Sequence, residues 1–130
     1  KKINMLNKKR ENILKKYLYG IKDCKFISPT YPYKLKNSSY WLFSINCKYR
    51  DDLIKFLKKK NISTAVHFVP LPLNYLYKKY DKANLVNAYK NWKKIISLPF
   101  FPDLEQKNIN YIINCLKTFD KKLIKKYETI

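Results

Sequence analysis

A single histidine, His67, is the residue of this 130-residue sequence that is best suited to catalytic or binding chemistry. Any Ser-His-Asp or Cys-His arrangement would depend on it entirely, because the sequence has no second imidazole. It lies between an apolar run and a loop that contains Pro70 and Pro72, and binding residues often gather in such loops. A lone histidine in a strand is also commonly structural. Two interpretations of His67 therefore stay open: contact with a ligand, or hydrogen bonding to backbone groups beneath the loop.

The other residues that carry chemistry exclude several kinds of site. Cys24, Cys47 and Cys115 are far apart, and with one histidine they offer too few zinc ligands at usable spacing. The single glycine, Gly20, excludes every glycine-rich phosphate loop. The Asp51-Asp52 pair is better explained as the start of a helix than as an acid/base couple. We therefore expect no metal, and the odd number of unpaired cysteines favours a cytoplasmic protein.

The formal net charge of +20 suggests a nucleic-acid or anionic membrane partner. Of the 29 basic residues only Arg10 and Arg50 are arginines, although arginine is preferred for phosphate and base recognition. The lysines are spread along the whole chain, in a composition typical of an A/T-biased genome. They are therefore interpreted as solvated faces that bind nucleic acid weakly and without specificity. A lysine-rich nucleic-acid module stays open as an alternative, since these aromatic residues are able to stack on bases: Tyr31, Tyr33, Tyr40, Trp41 and Phe43.

The hydrophobic pattern predicts one α+β domain. Hydrophobic residues make up 46% of the chain, and no apolar run approaches the roughly 20 residues of a membrane span. Periodicity predicts an N-terminal helix followed by a short, mostly antiparallel sheet that is covered by helices. The predicted helices are 3–21, 50–60, 75–80, 85–92 and one that begins near 103; the predicted strands are 24–28, 40–47, 62–68 and 95–98.

Three residues are predicted to begin or end these helices. Gly20 lies near the end of the first helix, where a left-handed residue is commonly required. Asn61 follows the helix over 50–60 and tolerates the same conformation. Asp103 is a candidate N-cap of the last helix, with Gln106 three residues later to complete a capping box.

The segment from His67 to Tyr77 resembles a motif of a known enzyme family. It reads H-F-V-P-L-P-L-N-Y-L-Y and is similar to the H-Y/F-x-P-L-H-L-Q-P-x-Y motif of DegT/StrS-type sugar aminotransferases, which are pyridoxal-phosphate enzymes of fold type I. Other stretches resemble further family motifs in the same order. They are S-Y-W-L-F at 39–43, R-D-D-L at 50–53, N-I-S-T at 61–64, I-S-L-P at 96–99 and F-P-D-L at 101–104, with Asn7, Arg10 and Tyr17 in the opening helix.

This resemblance implies the C-terminal small domain of such an aminotransferase. Residues 1–22 are expected to be a linker helix from a large domain, and residues 23–130 the small domain. The sequence opens without Met, which we interpret as a piece of a longer protein. The implied reaction transfers an amino group from an amino acid, usually glutamate, to a nucleotide-linked keto-sugar, with pyridoxal phosphate bound by the large domain of a homodimer.

The resemblance places His67, Phe68 and Asn74 at the rim of the substrate pocket, where the domain forms one wall. It places no catalytic or cofactor-binding residue in these 130 residues, which are therefore expected to be inactive alone. The sequence departs from the family pattern where Pro72 replaces a second histidine, Asn74 replaces glutamine and Trp41 replaces the histidine of S-Y-H-L-F, while Asn61 replaces a glycine whose left-handed conformation it also tolerates. Because Pro and Trp lack the imidazole, substrate contacts are not carried over to them. A stand-alone interaction domain without catalysis also stays open.

Overall fold

The computed structural model describes residues 2–30, 39–80 and 85–127. The helices are α1 (Lys2–Ile21), α2 (Arg50–Lys58), α3 (Val86–Trp92) and α4 (Gln106–Tyr127), and the strands are β1 (Ile27–Pro29), β2 (Phe43–Cys47) and β3 (Ile95–Leu98). Two 3-10 helices, Leu71–Leu73 and Tyr75–Tyr80, lie in the segment after Pro70, and the first of them includes Pro72. The prediction of an α+β domain with an N-terminal helix is confirmed. Tyr31 and Tyr33, two of the residues predicted to be able to stack on bases, and the last three residues of the chain lie outside the described residues.

The three strands form one antiparallel sheet in the order β1-β2-β3. Ile27 lies opposite Cys47, and Phe43 lies opposite Leu98. On the far side of β3, Ala65 and Ser97 exchange two backbone hydrogen bonds, with N to O distances of 3.1 and 2.7 Å. The segment 62–68, predicted to be a strand or extended, contributes this one bridge to the sheet.

The core lies between one face of the sheet and the long helices. Phe43 and Ile45 of β2 alternate with Ser44 and so point to the same side, where they join Leu14 of α1 and Leu116 of α4 in one buried cluster. The face formed by Ser44 is opposite this core. Because α1 contributes several fully buried residues, it is part of the domain's packing.

Tyr17 ties α1 to the end of β3. Its ring stacks on Phe43 at 4.9 Å between centroids, and its hydroxyl donates a 2.9 Å hydrogen bond to the carbonyl of Pro99. Burial raises the pKa of Tyr17 above its usual range, so the phenol keeps the proton that it donates. The bond fixes the chain where it leaves β3.

Two of the predicted helix ends are wrong and one is confirmed. Asn61 has a φ of 58° and ends the helical segment in the left-handed conformation. Gly20 has no positive φ, and α1 continues through it to Ile21. A Cβ on Gly20 would lie 2.7 Å from the Ile113 side chain, so this glycine is required for the close approach of α1 and α4.

The predicted N-cap at Asp103 is also wrong, because α4 begins at Gln106. The Asp103 carboxylate instead accepts a 2.7 Å hydrogen bond from the Lys9 ammonium of α1. Gln106 accepts a hydrogen bond from Lys16, and its amide nitrogen donates to Asn110 at 2.7 Å. These polar groups connect α4 to α1 instead of capping it.

The start of α2 carries the predicted acidic residues, Asp51 and Asp52, in its first turn. Arg50 before them is buried, with its Nε 2.6 Å from the Asp51 carboxylate. Its guanidinium carbon lies 5.5 Å from the ring centre of Trp92, so it joins α2 to α3. None of the helices in the described ranges is long and apolar enough to cross a membrane.

Candidate functional site

His67 lies just beyond the Ala65 bridge, at the edge of the sheet next to β3. Its Nδ1 is 3.1 Å from the hydroxyl oxygen of Ser97, whose side chain is on the face opposite the core. Ser97 is buried, whereas His67 is exposed. The hydrogen bond fixes one ring nitrogen against the sheet, and Nε2 is at the opposite side of the ring.

Two exposed aromatic rings stand beside this histidine. The Trp41 ring centre is 6.2 Å from that of His67, with 56° between the planes, and Phe68 is 5.3 Å away at 72°. The exposed fraction is 69% for Trp41 and 75% for Phe68. Apolar residues that are exposed singly are common in folded domains, whereas several exposed aromatic rings side by side are typical of a surface that binds a ligand or another domain. We call Trp41, His67 and Phe68 the aromatic cluster.

Sequence reasoning placed His67 and Phe68 at the rim of a substrate pocket, but it named Trp41 only as a possible base-stacking residue. The predicted strand over 40–47 makes Trp41 an ordinary strand residue, but β2 begins at Phe43. Tyr40 is buried and has a φ of 33°, which few residues other than glycine adopt. The chain therefore turns before the strand, and Trp41 comes to lie beside His67. The signal that pointed to it was its place in the S-Y-W-L-F motif.

Asn74, the third predicted rim residue, lies between the two 3-10 helices. Its side-chain oxygen accepts a 3.1 Å hydrogen bond from the backbone N–H of Leu76, a local arrangement that stabilises the turn. Within the described ranges we find no contact between Asn74 and His67. The structure thus brings together two of the three predicted residues.

The chain that follows His67 exposes an apolar surface, which we call the 68–77 surface. Its large members are at least 45% exposed: Phe68, Val69, Leu71, Leu73, Tyr75, Leu76 and Tyr77. Proline residues keep this segment out of the sheet, because they cannot donate a backbone hydrogen bond. A contiguous apolar surface of this kind is typical of an interface.

A shallow cleft of about 220 Å³ lies under His67. Its lining includes the bridged pair Ala65 and Ser97 together with Ser63, Thr64 and Pro99. It is smaller than the roughly 300–1,000 Å³ of a typical complete ligand site. His67 is the residue that this cleft shares with the aromatic cluster.

Three of the lysines lie together around another surface of the protein. A concave surface of about 600 Å³, which we call the lysine basin, is lined by Lys25, Lys48, Lys94 and neutral residues that include Phe26 and Asn46. Its lining has no arginine and no carboxylate. It supplies positive charge without the bidentate donors that read phosphates and bases.

The described residues do not fit pyridoxal phosphate. A Schiff-base lysine must be held in a pocket, but every lysine whose side chain the structure describes is exposed. Burial raises the pKa of Cys24 and of Cys47 to about 11, so neither thiol is an activated nucleophile. Among the described residues no group of three His, Cys, Asp or Glu side chains could hold a metal ion.

Comparison with known proteins places the whole described fold among aminotransferases. The sequence model of the DegT/DnrJ/EryC1/StrS aminotransferase family matches residues 1–117. The uncharacterized protein MJ1066 of Methanocaldococcus jannaschii is 32% identical over an alignment of 126 residues, and the match covers 90% of this chain and 33% of that protein. The spore coat polysaccharide biosynthesis protein SpsC of Bacillus subtilis is 32% identical over an alignment of 76 residues, and the match covers 55% of this chain and 20% of that protein.

A solved structure gives the same relation in three dimensions. The putative sugar aminotransferase Spr1654 from Streptococcus pneumoniae, in its apo-form, superposes with a TM-score of 0.84 at 28% identity. The match covers 97% of this chain and 33% of that one. The chain therefore spans about a third of the length of MJ1066 and of Spr1654.

Proposed function

The chain belongs to the DegT/DnrJ/EryC1/StrS aminotransferase family, and from this premise we propose that it is the C-terminal small domain of a sugar aminotransferase. The proposed reaction moves an amino group from an amino acid, in the first instance glutamate, to a nucleotide-linked keto-sugar. The observation that carries the proposal is the aromatic cluster, in which an anchored imidazole and two exposed rings lie on one open face. That face is suited to be one wall of a substrate pocket.

In this proposal His67 is a substrate-binding residue. Ser97 holds Nδ1, so the exposed Nε2 edge is available to hydrogen-bond a sugar hydroxyl or a phosphate oxygen. The anchoring hydrogen bond reduces the rotamer freedom that binding would otherwise have to remove. Phe68 provides an apolar edge beside the imidazole. Asn74, whose oxygen is engaged by its own turn, would contact the substrate through its amide nitrogen.

The proposed cofactor is pyridoxal phosphate, held by residues outside this chain. The support is at family level, since Spr1654 from Streptococcus pneumoniae has also been solved in PLP- and PMP-forms, each at 29% identity to this chain. The residues of this chain would then bind and orient the sugar, and would exclude water from one side of it.

The proposed partner of the 68–77 surface is the large domain of the same protein. Packing these apolar side chains against that domain would remove them from water. Burial of apolar surface stabilises an interface by roughly 25 cal/mol per Å². In the division that we propose, residues 1–22 link the two domains and 23–130 form the small one. We further propose a homodimer in the cytoplasm, where Cys24, Cys47 and Cys115 would stay reduced thiols, as they are in the structure.

Amino transfer by the protein from its complete reading frame tests this proposal. Purified protein with added pyridoxal phosphate is incubated with glutamate and a nucleotide-linked 4-keto-hexose, and 2-oxoglutarate and amino sugar are quantified. We expect the two products in equal amounts. A complete set of keto-sugar isomers with no 2-oxoglutarate above the no-sugar control would contradict the proposal.

The lysine basin favours a second candidate function, nucleic-acid binding. Lys25, Lys48 and Lys94 are exposed around one concave surface that also contains Phe26. This candidate is weaker, because lysines without arginine give counterion release but little sequence readout. The salt dependence of oligonucleotide binding tests this second candidate.

A further inference from the structure

We propose that Trp41 is a sugar-binding residue, whose indole face stacks on the apolar C–H face of the hexose while His67 hydrogen-bonds a hydroxyl of the same ring. This inference rests on the proposed function, because it takes the ligand to be a nucleotide-linked sugar. It assigns a role to the position where tryptophan replaces the histidine of the family motif.

The geometry of the Trp41–His67 pair leaves the indole open to a ligand. Their ring centres are 6.2 Å apart with 56° between the planes, so the two rings are tilted and not stacked on each other. With 69% of Trp41 exposed, a broad face of the indole is uncovered. A hexose on that face would also lie within reach of the exposed imidazole edge.

The backbone before Trp41 shows that this placement is imposed by the fold. Tyr40 is buried and has a φ of 33°, a conformation that is costly for a residue with a side chain. Backbone conformations of this kind are found disproportionately where a fold positions a functional group. Here the unusual turn directs the following side chain toward His67 and away from the core.

The other tryptophan of the chain shows what a structural tryptophan looks like here. Trp92 is half-buried at the end of α3, with the Arg50 guanidinium 5.5 Å from its ring centre. Trp41 is more exposed than Trp92, and its indole ring lies beside the imidazole of His67.

An apolar ring next to a hydrogen-bonding group indicates that the ligand of the aromatic cluster is a sugar. A hexose presents C–H groups on its ring face and hydroxyls at its edge, so it needs an apolar plane next to a hydrogen-bonding group. Trp41 and His67 supply these two groups side by side. A flat nucleobase would need only the indole, on which it would stack. Ligand-observed NMR distinguishes a bound sugar from a bound base.

Saturation-transfer NMR with the protein from the complete reading frame tests the assignment, with UDP-glucose and UDP as probes. In the unaltered protein we expect the strongest transfer at the glucose ring protons of UDP-glucose. Trp41→Ala should lower the transfer to the glucose protons relative to the uracil protons and weaken binding of UDP-glucose about tenfold, because lost ring stacking and lost apolar contact together correspond to about that change in affinity. Trp41→Phe and the control Trp92→Phe should keep the glucose signal.

Three results would overturn the inference. The first is a glucose signal that is unchanged in Trp41→Ala. The second is strongest transfer at the uracil protons, with loss of that signal in Trp41→Ala, because a base is then the occupant. The third is no transfer from the unaltered protein to glucose protons. The amino-transfer assay above decides the proposed function separately, because it requires product formation and not this contact.

Discussion

Tyr17 and His67 show how differently two ring side chains serve this domain. Tyr17 is fully buried and makes a stacking contact and a hydrogen bond inside the core. His67 is exposed, and its ring is hydrogen-bonded to Ser97 among the described residues. Loss of Tyr17 contacts should therefore lower stability, whereas loss of the His67 ring should leave stability nearly unchanged and alter ligand binding.

We expect Tyr17→Phe to lower the free energy of unfolding by about 1–2 kcal/mol, because it removes the hydroxyl that donates a hydrogen bond to the carbonyl of the half-buried Pro99. Urea denaturation of the 130-residue chain measures this change. Tyr19→Phe is the matched control. Tyr19 is on the same helix and is 73% exposed, so loss of its hydroxyl should change the free energy of unfolding little. Equal effects of the two substitutions would contradict the role given to Tyr17.

At the scale of helices, Gly20 decides how closely α1 and α4 pack. Intrinsic helix propensity favours alanine over glycine by about 1 kcal/mol. The added Cβ would lie within 3 Å of three atoms of the Ile113 side chain, however, and overpacking of this kind costs about 1–3 kcal/mol. We therefore predict that Gly20→Ala lowers the denaturation midpoint.

A double-mutant cycle with Ile113→Ala tests the cause of that loss. Ile113→Ala removes all three of the crowded atoms, so Gly20→Ala should cost less in its background than in the unaltered chain. Stabilisation by Gly20→Ala alone, as propensity would give, would show that the two helices do not require this close contact.

Most elements could be predicted from the sequence because their signals are local. The apolar periodicity of α1 and α4, the acidic start of α2 and the left-handed Asn61 each depend on a few neighbouring residues. The wrong predictions concern contacts between distant residues. The packing of Gly20 on Ile113 and the pairing of Asp103 with Lys9 follow from how two helices cross, which no local pattern contains.

In the candidate site, too, the residues with a local signal could be predicted from the sequence, and those that depend on tertiary contacts could not. His67 was identified as the only imidazole, and Phe68 as its neighbour in a motif. Trp41 lies 26 positions earlier, and only the turn at Tyr40 and the pairing of β3 with Ala65 bring it beside His67. The anchoring role of Ser97 likewise depends on tertiary structure, because it lies 30 residues from His67 in the sequence.

At the scale of the whole molecule, the charge of +20 predicts weak and salt-sensitive binding of oligonucleotides. Because the lysines are dispersed, each exposed one should contribute alike. We expect Lys94→Ala in the lysine basin and Lys121→Ala on α4 to lower the slope of log K against log salt by similar amounts, at most about one each.

Fluorescence anisotropy with a labelled single strand across a salt series measures these slopes. Sub-micromolar affinity at physiological salt would contradict the interpretation of the lysines as solvated faces. A slope that changes for Lys94→Ala and stays constant for Lys121→Ala would favour a defined nucleic-acid site at the lysine basin.

The 130-residue chain alone should not form a Schiff base with pyridoxal phosphate at a defined lysine. The lysines whose side chains are described are exposed, so no pocket is seen to hold one of them against the cofactor. Absorbance after addition of one equivalent of cofactor, with and without borohydride, measures this. A stoichiometric band that borohydride removes, with one labelled lysine by mass spectrometry, would contradict the expectation.

The central claim, that this domain forms a wall of a sugar aminotransferase pocket through His67, is tested most directly by the kinetics of His67→Ala in the protein from the complete reading frame. Losing a hydrogen bond to the substrate should lower kcat/KM for the nucleotide-sugar about tenfold or more, with Tm within about 2 °C of the unaltered protein. Ser97→Ala, which frees Nδ1, should lower kcat/KM by less. A lower Tm with unchanged kcat/KM of the folded fraction would show that His67 is structural and would contradict the claim.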